Sequence, residues 1–232
     1  MEPSLALTVK KNIRGFSLVE MIVVLAIIGV LSVVVINGQN DFNRSLTITD
    51  SAYTVALSFR QAQTFGLSSR TFNGTNKAGY GLHFDAATPK AYFIYSDLSD
   101  SGSLLAWCPS TLNTGSPDDK IGDCLYNAPT EIVQNFSFNR GFTISNICGN
   151  ELQNPGTRDC SVGGTGTTIS NVDAVFLRPN TDSIITATLT NSARVQLSNL
   201  SVTLVAPNGD GSRLICLSRA GQVSVATTTC PQ

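Results

Sequence analysis

The 232-residue sequence holds a single histidine, His83. Any imidazole-based triad would have to use it, and no serine or cysteine motif stands beside it, so it reads as a structural residue in a strand. Glycine-rich phosphate loops are missing as well: Gly163-Gly164-Thr165-Gly166 lacks the rest of either common pattern. No two cysteines have the C-x-x-C spacing, which argues against zinc knuckles and dithiol redox motifs. Charged residues are only 13% of the chain, as suits a compact exported domain and not a disordered one. Their formal sum is -1, which gives no general pull toward nucleic acid, and no nucleic acid is expected as a partner. Asp118, Asp119 and Asp123 share one stretch without EF-hand spacing and read as a solvated acidic loop. Asn208 and Asp210 fit turn geometry better than metal ligation. No catalytic constellation, metal site or cofactor is expected, and the chain does not read as an enzyme.

What the sequence does have is one long apolar run near its start. A polar leader carrying Lys10, Lys11 and Arg14 ends at Gly15; Phe16-Ser17-Leu18-Val19-Glu20 follows, then sixteen residues without a charge, 21–36. As a helix, the 21 residues from Phe16 to Ile36 span about 31 Å, close to the hydrocarbon thickness of a bilayer. The basic leader places the N-terminus on the cytoplasmic side and the C-terminal bulk outside. Taking three basic leader residues from 15 and one acidic from 16 leaves 12 and 15, a net charge of -3. Glu20 is the anomaly: an ionisable group at the start of an apolar span is costly without a partner, and marks a functional candidate. A secretory signal peptide also has a basic start and an apolar stretch, but Ile36-Asn37-Gly38 serves poorly as its cleavage site. A plain anchor explains the length without explaining Gly-Phe or Glu20.

Gly15-Phe16-Ser17-Leu18-Val19-Glu20 resembles the processing motif of type IV prepilins and of type II secretion pseudopilins. The resemblance implies cleavage between Gly15 and Phe16 by a prepilin peptidase, N-methylation of Phe16, and a role for Glu20 in assembly. It implies other pilin or pseudopilin subunits, the peptidase/methyltransferase, an inner-membrane assembly platform and membrane lipid as partners. It places the protein in the bacterial inner membrane as a single-pass chain, and then in a pilus or pseudopilus. Where many pilins have proline, this chain has Asn37, followed by Gly38. Shorter stretches resemble the H-type minor pseudopilins and related minor pilins: residues 57–63 (LSFRQAQ), 175–179 (VFLRP) and 214–223 (LICLSRAGQV). Some minor pilins of this group bind DNA through a Gly-Arg-x-Arg-like tail; here Gly221-Gln222-Val223-Ser224 lacks the arginines. A minor subunit is the preferred reading. The alternatives are a major pilin, or a membrane-anchored domain for surface binding, adhesion or DNA uptake.

Four segments are expected: a leader at 1–15, a membrane or filament-core helix at 16–36, its amphipathic continuation at 37–66, and a β-rich domain at 67–232. Ala52, Val55, Ala56, Phe59 and Ala62 recur at helical spacing, with Ser58, Arg60 and Gln61 off that face and Gly66 as a stop. Strands are expected at 80–85, 91–96, 104–107, 131–138, 142–147, 172–178, 183–189, 200–206, 213–218 and 222–226. Turns are expected around 87–89, at 139–141, at Asn208-Gly209-Asp210-Gly211 and at 219–221. Residues 154–170 read as a surface loop. Together these give an α+β fold, a long helix packed on an antiparallel sheet. Cys108, Cys124, Cys148, Cys160, Cys216 and Cys230 all follow the apolar run and, outside the cytoplasm, are disulfide candidates. Six cysteines allow fifteen full pairings; pairing of sequence neighbours is the preferred one, and buried free thiols are the alternative.

Overall fold

The computed structural model describes residues 15–68, 70–74, 78–98, 105–108, 122–127, 129–207 and 211–231. One helix, α1, runs Leu18–Leu67. The chain divides into two compact units, one reaching to Asn43 and the other starting at Arg44.

In the second unit, Ile48, Ala52, Val55, Phe59 and Ala62 recur at alternating steps of four and three residues, which sets them on one stripe of α1. All five are buried. Ser58 joins them: it is 3% exposed, and its hydroxyl lies 3.0 Å from that of Tyr92. The expectation that it lies off the core face is therefore corrected; periodicity places it at the stripe's edge, where a tyrosine reaches it. Serines and threonines are weak helix formers because their hydroxyls compete for backbone groups. Here they bond within the helix instead, Thr49 to the Ser45 carbonyl (2.7 Å), Ser51 to Thr47 (2.9 Å) and Thr54 to Asp50 (3.0 Å). Asn37 and Gly38 do not interrupt the helix. The helix ends at Leu67, one residue past Gly66, where a Cβ would run into the Phe176 carbonyl, so the glycine also lets the last turn approach a strand.

Among the described residues eleven strands follow: β1 Gly79–Asp85, β2 Ala91–Asp97, β3 Ile132–Ser137, β4 Thr143–Asn150, β5 Arg158–Cys160, β6 Ile169–Phe176, β7 Ser183–Leu189, β8 Arg194–Leu197, β9 Asn199–Val205, β10 Ser212–Ser218 and β11 Val223–Ala226. They form two sheets in the orders β3-β2-β1-β6-β7-β8 and β11-β10-β9-β4-β5, with antiparallel pairing throughout. The fold is α+β: an apolar N-terminal helix followed by an antiparallel β domain. Within the second unit the main core takes Phe59 from the C-terminal half of α1, Leu82, Ile94, Val172 and Ile185 from the first sheet, and Ile147, Val202 and Ile215 from the second, and a smaller cluster gathers around Tyr95, Cys124 and Val175. The sheets are stitched at one edge, where Leu197 of β8 bridges Glu151 and the Leu152 amide donates to the Gln196 carbonyl at 2.8 Å.

The strand expected at 104–107 is not found; residue 104 lies outside the described residues, and 105–107 turn back on themselves, the Cys108 amide bonding the Leu105 carbonyl at 3.0 Å. The stretch 154–170 contains β5 and the start of β6, so it is not all loop. β8 was not expected. The turn residues 208–210 and the leader 1–14 lie outside the described residues. The cysteines form three disulfides, Cys108–Cys124, Cys148–Cys160 and Cys216–Cys230, and no described cysteine is free.

Candidate functional site

The N-terminal site is built by the first turn of α1. The Met21 amide donates to the Ser17 carbonyl at 3.2 Å, so Ser17 caps the helix and Glu20 stands at its third position. Ser-x-x-Glu at these places is the capping-box pattern, and the helix dipole favours a negative charge in the first turn. Sequence reading of Glu20 as an isolated acid missed this local support; the signal was Ser17, three residues earlier.

Beyond Glu20 the helix is apolar on every side. Leu18–Ile36 has 19 residues and a mean hydropathy of 3.0, enough in length and composition to cross a membrane. The side chains of this stretch are exposed, Leu25 at 67% and Ile36 at 60%. Its one hydroxyl, Ser32, bonds the Ile28 carbonyl at 2.8 Å, so it needs no outside partner in an apolar medium. Such a surface requires lipid or other apolar helices around it.

A family model, the prokaryotic N-terminal methylation motif, matches residues 10–36. The match supports a type IV pilin-like family. It covers the leader's basic residues, the Gly15–Phe16 junction, Glu20 and the apolar run, and nothing of the β domain. Comparison with curated proteins and with solved structures gives no match.

The other candidate residues lie in the β domain. His83 of β1 is buried, with Nδ1 2.8 Å from Asp173 Oδ1, and its ring stacks on Phe93 at 4.9 Å between centroids. Asp118 and Asp119 lie outside the described residues. Asp123 is 1% exposed, which corrects its reading as part of a solvated loop. The segments resembling minor pseudopilins occupy α1 (57–63), the end of β6 (175–179) and the β10–β11 hairpin (214–223). The hairpin turn docks on α1: Arg60 donates to the Gly221 carbonyl at 3.2 Å. Gly221 has φ +74°, and a Cβ there would strike the Thr181 carbonyl. Hence only glycine fits this turn.

Sequence reading missed a group of buried acids in the first sheet and the strap above it. Residues 122–127 cross Asp97, Asp173 and Glu131, and four successive amides each donate to a different carboxylate. Cys124 bonds Asp97 Oδ2 at 2.9 Å, Leu125 bonds Asp123 Oδ1 at 3.2 Å, Tyr126 bonds Asp173 Oδ1 at 3.3 Å and Asn127 bonds Glu131 Oε2 at 2.8 Å. Among the described residues the strap pairs with no strand, and these carboxylates accept its amides in place of a ladder. Asp97 also lies within 4.8 Å of the Cys108 and Cys124 sulfurs, but these are bonded to each other and offer no thiolate to a metal. Tyr92, bonded to Ser58, is buried enough to push its hydroxyl up to about 12.

Proposed function

We propose that this chain is a minor pilin or pseudopilin, a structural subunit of a type IV pilus or type II secretion pseudopilus. The observation that carries the reading is a methylation motif continuous with an exposed apolar helix holding one carboxylate, Glu20, in its first turn. The leader is removed between Gly15 and Phe16, Phe16 is N-methylated, and Glu20 is then the fifth residue of the mature chain. Before cleavage the span anchors the subunit in the inner membrane with its β domain outside. After cleavage the carboxylate of Glu20 pairs with the N-terminal amine of a neighbouring subunit. In an apolar bundle each charge offsets the desolvation of the other, and only a fixed stagger brings them together, so the pair sets register. The apolar side chains from Leu18 to Ile36 pack the filament core. The minor assignment rests on the resemblance of segments 57–63, 175–179 and 214–223, and copy number in purified filaments separates it from a major subunit.

Mass spectrometry of the protein from cells with and without the prepilin peptidase tests the processing. The expected result is loss of residues 1–15 and one added methyl group only where the peptidase is active. An intact leader on the working protein refutes it. Glu20→Ala is expected to be cleaved but left out of filaments; normal incorporation of that variant would refute the register role.

A further inference from the structure

The strap at 122–127 holds a carboxyl group that has no place for its charge. Asp97 is 0% exposed. Its Oδ2 accepts the Cys124 amide at 2.9 Å, but its Oδ1 has no hydrogen-bond partner. That oxygen is pressed against Gly122, where a Cβ would collide with it, so the enclosure is packed and not open to solvent. The Tyr95 hydroxyl, also fully buried, faces the same acids, and burial and their charge push it upward. A carboxylate oxygen enclosed without a donor bears the full cost of its lost hydration, whereas a protonated carboxyl bears only that of a neutral group. We infer that the strap is a proton-sensitive clasp: it stays closed while Asp97 carries its proton, and it loosens as the pH rises and the proton passes to solvent.

Among the described residues, the titratable groups around Asp97 come from several elements. They are Asp123 on the strap, Glu131 in the 3-10 turn Pro129–Glu131, Asp173 on β6 and Tyr95 on β2 itself; His83 of β1 acts at one remove through Asp173. Burial first, and the charge of Asp123 second, raise the Asp97 carboxyl well above its ordinary 3.8, while the Cys124 amide pulls the other way. With the closed-state value raised, closure is fully favoured below the ordinary carboxyl value. It is progressively lost as the pH climbs from there to the closed-state value. One released proton makes the opening constant rise up to about tenfold per pH unit in that window.

Hydrogen exchange on the full chain in detergent tests this, with rates divided by the intrinsic rate at each pH. The opening constants of the Cys124, Leu125, Tyr126 and Asn127 amides are expected to climb with pH, while those of β7 stay level. In Asp97→Asn the climb should vanish. A level wild-type profile, or the same climb in Asp97→Asn, overturns the proposal. Should that variant not fold, infrared spectra of Asp159→Asn protein labelled at the aspartate carboxyl carbons decide the matter, Asp159 being another buried aspartate whose carboxyl burial raises. A protonated carboxyl band that persists well above the ordinary carboxyl value of 3.8 supports the clasp, and its disappearance as the pH passes that value refutes it.

Discussion

Removing the three disulfides one pair at a time, as Cys→Ala double variants, separates two accounts of how they stabilise the β domain. The bonded residues lie 16, 12 and 14 positions apart. For loops of this length the chain-entropy relation gives about 3 kcal/mol per bond at 25 °C. Together that is about 9 kcal/mol, inside the ~5–15 kcal/mol that a natural domain has in total. Because the term acts on the unfolded chain, it should be nearly equal for all three, although their surroundings differ. Cys124 is fully buried within the strap, whereas Cys230 is only half-buried. Urea unfolding of the full chain in detergent, followed by far-UV circular dichroism and by fluorescence of Trp107, gives the three costs. Trp107 is the sole tryptophan, and its indole N–H donates to Thr186 Oγ1 at 3.1 Å, so it reports the docking of that region on β7. Three losses of similar size are expected. If the costs instead rank by burial, with the Cys216–Cys230 pair costing no more than an ordinary surface change, restriction of the unfolded chain is not the source of the stability.

Two further outcomes follow from the packing of α1. Phe59→Ala removes a fully buried ring whose centroid lies 5.7 Å from that of Phe84, and should cost about 3–5 kcal/mol in the same urea assay. Tyr92→Phe removes the bond to Ser58 and should cost about 1 kcal/mol near neutral pH. At alkaline pH the sign reverses. The wild-type hydroxyl, raised from 10.0 to about 12, makes the wild type lose stability as the pH rises through that interval, and the variant lacks that loss. Thermal unfolding across the alkaline range reads the difference.

How much could be read from the chain depended on how local each signal was. The N-terminal motif was legible because Gly15, Phe16, Glu20 and the apolar run follow one another without tertiary help. β7 was legible at both ends because Ser183–Leu189 is a β-branched run between polar turns. β8 was not, because Arg194–Leu197 is four residues with one strong apolar anchor, and its place is set by pairing with β7. β5 was hidden for a similar reason: Arg-Asp-Cys has no strand pattern, and pairing with β4 makes it a strand. The strap acids were the hardest to see. Asp97 and Asp173 look like ordinary breaks in apolar runs until the amides of a segment remote in sequence arrive to bond them. Buried polar groups are specified by their partners, and a linear reading cannot assemble partners that the fold brings together.

The cross-links also bear on the order in which the domain is completed. Each joins cysteines no more than 16 positions apart, and no bond reaches across another. A β domain that emerges in chain order behind its N-terminal anchor would therefore present its thiols two at a time, every mate arriving before the following pair appears. An oxidant meeting such a chain has little opportunity to join the wrong two. The last closure waits until Cys230 has followed Cys216, 14 positions behind it.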